Sequence, residues 1–318
     1  MTRIILSTGN IVTAGPSIIR KPGSYRSNLE LTNSLRSNFQ AAQQDYTGTP
    51  PSSNGNGHQA QGNGSSNGSG HPALDAWTTV EDSVLYVPRI DWTAAGLQED
   101  PAQYEITVKL FFLPSAPAEK RTEYINEALR LVTKELQIDH IDLMIVSFPG
   151  ISFEGDCEWE ADKTNATMGD EEEELRTWPA LESLYEQGKV SRLGISEFGT
   201  EKLQRFLKRV KVRPVVDQIN IKDCCSVPPP LAKLAKMEHI ELLTHGDCTN
   251  ILPGGTLREL LGHGPQGAGV LDNDDQNAQT GLRGDLVPEW VAKYTAFVKY
   301  RGVIENKGYF AGAELVQV

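Results

Sequence analysis

The chain lacks the excess of lysine and arginine that a nucleic-acid or anionic-membrane partner rewards. Thirty basic residues stand against 42 acidic ones, a formal charge of −12, and the field around it repels polyanions. No apolar run approaches the ~20 residues of a membrane-spanning helix, and residues 1–7 are too short and too soon interrupted for an export signal. Cysteine is scarce: Cys157, Cys224, Cys225 and Cys248 in 318 residues make no disulfide framework, so a reduced, cytoplasmic setting is expected. A bridge between the adjacent Cys224 and Cys225 would be strained, and no C-x-x-C spacing offers a metal site. No G-x-G-x-x-G follows the first strand, and neither glycine-rich stretch carries the lysine and hydroxyl of a phosphate loop.

What is present is a diluted globular composition. Hydrophobic residues make up 39%, enough for a real core. Residues 46–71 collapse to Gly, Asn, Ser, Gln and Pro and cannot offset the entropy of ordering, so they are expected as a disordered insert in a single 318-residue domain. Residues 154–170 and 262–281 are polar or rich in Gly and Asn and are expected as further loop insertions. The acidic groups at 171–174 and 272–275 could hold a hard cation, but a solvated helix start and a solvated loop explain them more cheaply, and no metal is expected.

Outside the inserts, strands and helices alternate. Strands are predicted at 4–8, 84–90, 104–112, 141–148, 190–196, 215–221, 240–245 and 302–310. Helices are predicted at 28–44, 122–136, 171–187, 200–210, 230–237 and 288–299. The strand runs are solidly apolar, as parallel strands covered on both faces should be. Eight strands with intervening helices predict an α/β (β/α)₈ TIM barrel rather than an open doubly wound sheet.

Two stretches carry a family likeness. Leu193-Gly194-Ile195-Ser196-Glu197-Phe198-Gly199 and Asp217-Gln218-Ile219-Asn220-Ile221 resemble the fifth and sixth strands of aldo-keto reductases, and Thr107-Val108-Lys109 resembles their third strand with its catalytic lysine. More specifically, three segments together resemble the family of regulatory (modifier) subunits of glutamate–cysteine ligase, themselves aldo-keto-reductase-like barrels. These are the run from Val212 through Cys224-Cys225 to Val227-Pro228-Pro229, then Glu241-Leu242-Leu243-Thr244-His245-Gly246-Asp247, then Lys299-Tyr300-Arg301-Gly302-Val303-Ile304-Glu305-Asn306-Lys307-Gly308-Tyr309.

The resemblance implies a reductase site that has lost its parts. Lys109 matches the lysine, whereas Ser147 stands where the proton-transferring histidine belongs, and a hydroxyl cannot titrate near neutral pH. The family's D-x-x-x-x-Y motif has no good counterpart: Asp82 and Tyr86 are one residue too close, and Glu81 with Tyr86 has the spacing but a longer acid. No cofactor is expected. Ser196, Gln218, His245 and Lys307 are the positions a residual NADPH pocket would use, and inherited barrel lining is the preferred explanation of them.

The implied role is a non-catalytic subunit forming a heterodimer with the ligase's catalytic subunit, improving glutamate use and relieving glutathione feedback inhibition. The alternative is an NADPH-dependent reductase of small carbonyls. Lys299, Arg301, Lys307 and Tyr309 are the expected partner contacts, in a segment that concentrates cations and aromatics. Trp290, Tyr294 and Phe297 are expected to anchor the last helix on the barrel.

Overall fold

The structure is a computed structural model and describes residues 2–13, 26–47, 72–220, 226–272 and 281–316. The low-complexity stretch at 48–71, Cys224, Cys225, Asn273, Asp274 and Asp275 lie outside the described residues. Ten strands form one mixed sheet: β1 (Thr2–Ser7), β2 (Thr79–Glu81), β3 (Val84–Val87), β4 (Tyr104–Phe112), β5 (Ile141–Ser147), β6 (Val190–Ser196), β7 (Val216–Asn220), β8 (Glu241–His245), β9 (Asp285–Val298) and β10 (Val303–Val316). Their spatial order is β2-β3-β1-β10-β9-β4-β5-β6-β7-β8. Strands β4 to β8 are parallel neighbours, β1 is parallel to β3, and β10 and β9 run antiparallel to each other and to β1 and β4.

The helices are α1 (Ser27–Thr47), α2 (Leu74–Trp77), α3 (Arg121–Leu136), α4 (Glu158–Asn165), α5 (Glu171–Glu186), α6 (Thr200–Leu207), α7 (Pro229–Glu238) and α8 (Thr256–Leu261). Their apolar spacing decides where they sit. Ile125, Leu129, Val132 and Leu136 recur at helical period along α3 and are all buried, in one cluster with the inward residues of α5, α6 and α7. Leu31, Leu35 and Phe39 of α1 join Leu257, Leu260 and Leu261 of α8 in a second cluster on the opposite face of β1, β9 and β10. The acidic start of α5 is fixed by Asp170, whose side chain accepts from the Glu173 amide, the position where a carboxylate best meets the helix dipole.

Residues 288–299 are a strand, not the predicted helix. Trp290 and Tyr294 lie four apart, a spacing that serves one helical turn and two strand pleats equally. Tertiary pairing settles it: β9 runs in register with β10 from Asp285 to Val298 and with β4 from Trp290 to Val298. Trp290 and Tyr294 are fully buried as expected, while the half-buried Phe297 takes the other face. Pro288 sits where the ladder shifts register between Gly312 and Ala313, the kind of irregularity that tolerates a residue without an N–H.

Residues 154–170 also depart from expectation, since they contain α4. The buried Asn165 explains why the segment docks rather than hangs: its amide donates to the carbonyls of Ser152 and Glu197, and its oxygen accepts from the Gly199 amide. Within 262–281, Ala268, Val270 and Leu271 are buried against the α8 side.

β9 fits against β10 because β10 lacks side chains where β9 has its largest. Gly308 lies opposite Tyr294, and Gly312 lies opposite Trp290. A Cβ at Gly308 would collide with the Tyr294 ring and hydroxyl, and one at Gly312 with the Trp290 indole. Gly312→Ala should therefore destabilise the fold by about 1–3 kcal/mol, measured as a lower urea midpoint with an unchanged slope. An unaltered midpoint would refute this packing.

Candidate functional site

The site is built where the parallel strands end. Strand alternation turns Lys109 of β4 and Lys293 of β9 to one side, and the two are register partners across the antiparallel pair. Like charges directly opposed are unfavourable. Asp247, two residues past β8, resolves the conflict: its Oδ2 lies 3.1 Å from Lys109 Nζ and its Oδ1 2.7 Å from Lys293 Nζ. Burial alone would raise the Asp247 carboxyl, but Lys109 and Lys293 together hold it well below the usual carboxylate range. Burial lowers the Lys109 ammonium, against the pull of Asp247 and Glu197.

A second set adjoins the first. His245 Nδ1 accepts the Asp247 backbone N–H at 3.1 Å, so the ring proton belongs on Nε2, which lies 2.6 Å from Glu197 Oε1. Glu197 also accepts the Asn220 amide at 3.0 Å and adopts a left-handed backbone, φ 65°, a conformation non-glycine residues take at a cost. Asp217 is fully buried, and burial first and Glu197 second push its carboxyl well above the usual range. Among the described residues, Glu197 Oε2, Asp217 Oδ2 and Gln218 Oε1 are buried without hydrogen-bond partners.

Of the positions singled out from sequence, Lys109 and His245 meet in this network through Asp247. Ser147 lies in register with Phe111 on β4, half-buried at the end of β5. Ser196 is buried and its hydroxyl faces the Val146 carbonyl at 3.5 Å. Lys307 is elsewhere, with its ammonium 2.6 Å from Glu30 Oε1. Tyr309 is fully buried and donates to Glu30 at 2.5 Å, which corrects its expected place among surface contacts. Lys299 and Arg301 are exposed at the β9–β10 turn, Lys299 donating to the Ala102 carbonyl and Arg301 pairing with Glu99 and Glu305.

Among the described residues Tyr86 is the tyrosine nearest in sequence to the reductase motif. Tyr86 accepts from Arg130 at 3.2 Å, and among the described residues no tyrosine hydroxyl is hydrogen-bonded to Lys109. Sequence reasoning missed Asp247, Lys293 and Glu30, because assigning 288–299 to a helix hid the Lys109–Lys293 juxtaposition that demands a carboxylate. The acidic run at the start of α5 is answered by cations: Glu171 and Glu172 by Arg209, Glu173 by Arg121 and Glu174 by Lys202. Among the described residues no group of three or more His, Cys, Asp or Glu side chains is placed to hold a metal, and no helix is long and apolar enough to cross a membrane.

The profile of the Aldo/keto reductase family matches residues 91–313. The chain belongs to that family. Its α/β fold class follows, with the antiparallel β9–β10 pair placed between β1 and β4 in this member. Among curated proteins it is 30% identical over 225 residues to the putative glutamate–cysteine ligase regulatory subunit of Schizosaccharomyces pombe, covering 67% of this chain and 71% of that protein. It is 27% identical to the glutamate–cysteine ligase regulatory subunit of Mus musculus, covering 68% of each. Among solved structures, aldose reductase from Giardia lamblia matches 43% of each chain at 23% identity with a TM-score of 0.30.

The network has a stability signature. A carboxyl depressed by folding contributes stability above its unfolded pKa of about 3.9 and loses it as pH falls through the folded value. Asp247→Asn should cost about 3–5 kcal/mol at pH 7, because the buried Lys109 ammonium and the part-buried Lys293 ammonium lose their counterion. It should also flatten the fall in stability below about pH 4. Urea unfolding of both proteins across that range measures the two effects, and parallel pH curves would show Asp247 is not so held.

Proposed function

We propose that this chain is the non-catalytic regulatory subunit of a glutamate–cysteine ligase, acting in the cytoplasm by binding that enzyme's catalytic subunit as a heterodimer. The observation that carries the reading is the state of Lys109. The family's lysine is kept, yet it is committed to Asp247, with Ser147 in the histidine position and, among the described residues, no tyrosine hydroxyl bonded to it. General acid catalysis of carbonyl reduction needs a proton donor within hydrogen-bond reach of the substrate oxygen. The regulatory-subunit names of the similar proteins support the same reading.

A subunit of this kind improves glutamate use and relieves glutathione inhibition by binding the active form of its partner more tightly than the inhibited form. The shift it produces can be no larger than that difference. The β9–β10 turn is the docking face we favour. Tyr300 is 88% exposed, and Val303 and Ile304 are 48% and 45% exposed beside Arg301. An aromatic with apolar neighbours and an arginine is the composition of an interface hot spot. Lys307 and Tyr309 are replaced in this role by Tyr300, because both side chains are held inward by Glu30.

Mixing the chain with the catalytic subunit should lower the half-saturating glutamate concentration and weaken inhibition by glutathione. The double variant Tyr300→Ala, Arg301→Glu should reduce co-purification at least about tenfold, a loss of about 1.4 kcal/mol, with its melting temperature unchanged. Wild-type protein that leaves glutamate dependence and glutathione inhibition untouched would remove the reading.

A second reading, an NADPH-dependent reductase of small carbonyls, is favoured by one observation: Lys109 survives on β4, with Ser196 and Gln218 at neighbouring strand ends. It requires NADPH oxidation with an aldehyde panel that disappears in Lys109→Met. We expect no such turnover.

A further inference from the structure

Away from Asp247, two adjoining cavities of about 360 and 240 Å³ share Asn10, Ala94, Ala95 and Glu135 in their walls. Together they form a cleft between the end of β1, α1, the loop after β3, the end of α3 and the start of β10. Its carboxylates are Asp45, Asp91, Glu135 and Glu305, against one guanidinium, Arg89. Arg89 is itself turned to the carbonyls of Asp75 and Thr78. Glu305 is occupied by the Tyr104 hydroxyl and Arg301.

Two groups remain without a counterpart. Glu135 is 9% exposed, and the one hydrogen bond it receives among the described residues comes from the Tyr294 hydroxyl at a long 3.4 Å. Burial raises its carboxyl, with no cation opposing the shift. In this it differs from the buried Asp247, Glu174 and Glu289, each of which faces a lysine or arginine. Asn306 is likewise 9% exposed, lines the smaller cavity with Glu135, and has a buried Oδ1 without a hydrogen-bond donor among the described residues. Glu135 lacks a cation and Asn306 Oδ1 lacks a donor among the described residues, and a buried carboxyl without a counterion is an unfavourable arrangement unless something cationic completes it.

We propose that this cleft binds a small organic amine, its primary ammonium held between Glu135 and Asn306. An ammonium carries three donors on a point charge, which suits a carboxylate and an amide oxygen lining the same acidic cavity. The combined space accommodates a short aliphatic chain of the size that ligand pockets hold. The site meets the docking face proposed above only through the Glu305–Arg301 ion pair, and its argument does not depend on that face.

Isothermal titration of the full chain with putrescine, with alanine, and with 1-butanol as the uncharged control tests this. Saturable one-to-one binding is expected from at least one of the two amines and none from butanol. Putrescine binding assigns free amines, and alanine binding assigns amino acids. Glu135→Gln, which keeps shape and removes the charge, should weaken binding at least about tenfold. Ala95→Lys, which tethers an ammonium in the cleft from an exposed loop, should abolish it. No saturable heat from either amine up to about 10 mM, equal binding of butanol, or binding that both variants retain overturns the proposal.

Discussion

Two lysines facing each other across antiparallel strands set the constraint on which the rest of the molecule turns. Pleat and register leave Lys109 and Lys293 no freedom to avoid one another, and both lie largely out of water, where like charges repel most strongly. A carboxylate placed between them is the remedy, and Asp247 comes from the opposite end of the strand order. Among the described residues, backbone hydrogen bonds do not join the outermost strands β2 and β8. Side chains draw the β8 end inward instead. Asp247 ties it to β4 and β9, and the Cys248 amide donates to the Ser27 hydroxyl at the start of α1. The end of β8 is thus tied to β4, β9 and the start of α1 by ion pairs and one hydrogen bond.

The β9–β10 pair is the second element of the same design. It brings Lys293 to Lys109 and at the same time bridges the amino-terminal strand to the parallel half. Its fit depends on glycine facing an aromatic at Gly308–Tyr294 and Gly312–Trp290, since only a missing Cβ lets rings of that size lie over the neighbouring strand. A rigid, fully paired ribbon then ends in a turn that carries Tyr300 into solvent. Rigid scaffolds with exposed tips present a partner with a surface whose ordering cost is already met by folding.

Much of this was legible in the sequence. The apolar period of α3, the acid-capped start of α5 and the five parallel strands from β4 to β8 all follow from spacing, because each is determined by its own residues and by burial on predictable faces. Lys109 was legible too, as a cation near the end of a buried strand. The partner of Lys109 was not, since Asp247 is fixed by tertiary approach and nothing in His245-Gly246-Asp247 announces it. The misreading of 288–299 has a definite physical origin: Trp290 and Tyr294 satisfy both periodicities, and only pairing with β4 and β10 distinguishes them. Residues 154–170 were polar enough to read as a loop, yet one buried asparagine supplies the three hydrogen bonds that seat α4.

The same lysine can serve two ends, and its neighbours decide which. In reductase chemistry a cation lowers the proton affinity of a phenol so that it donates to a developing alkoxide. Here the phenols move the other way. Burial, reinforced by neighbouring carboxylates, raises Tyr104, Tyr124, Tyr294 and Tyr309, whose hydroxyls donate to Glu305, Glu289, Glu135 and Glu30 respectively. A tyrosine whose anion is disfavoured by both desolvation and an adjacent acid is a poor acid and a good strut. Lys109, meanwhile, neutralises Asp247, a group held in its ionised form and so unable to give up a proton. The arrangement is a charge-balanced clamp that ties the end of β8 to β4 and β9. A sheet so fixed leaves its exposed tips, the β9–β10 turn among them, as the part of the fold open to other roles.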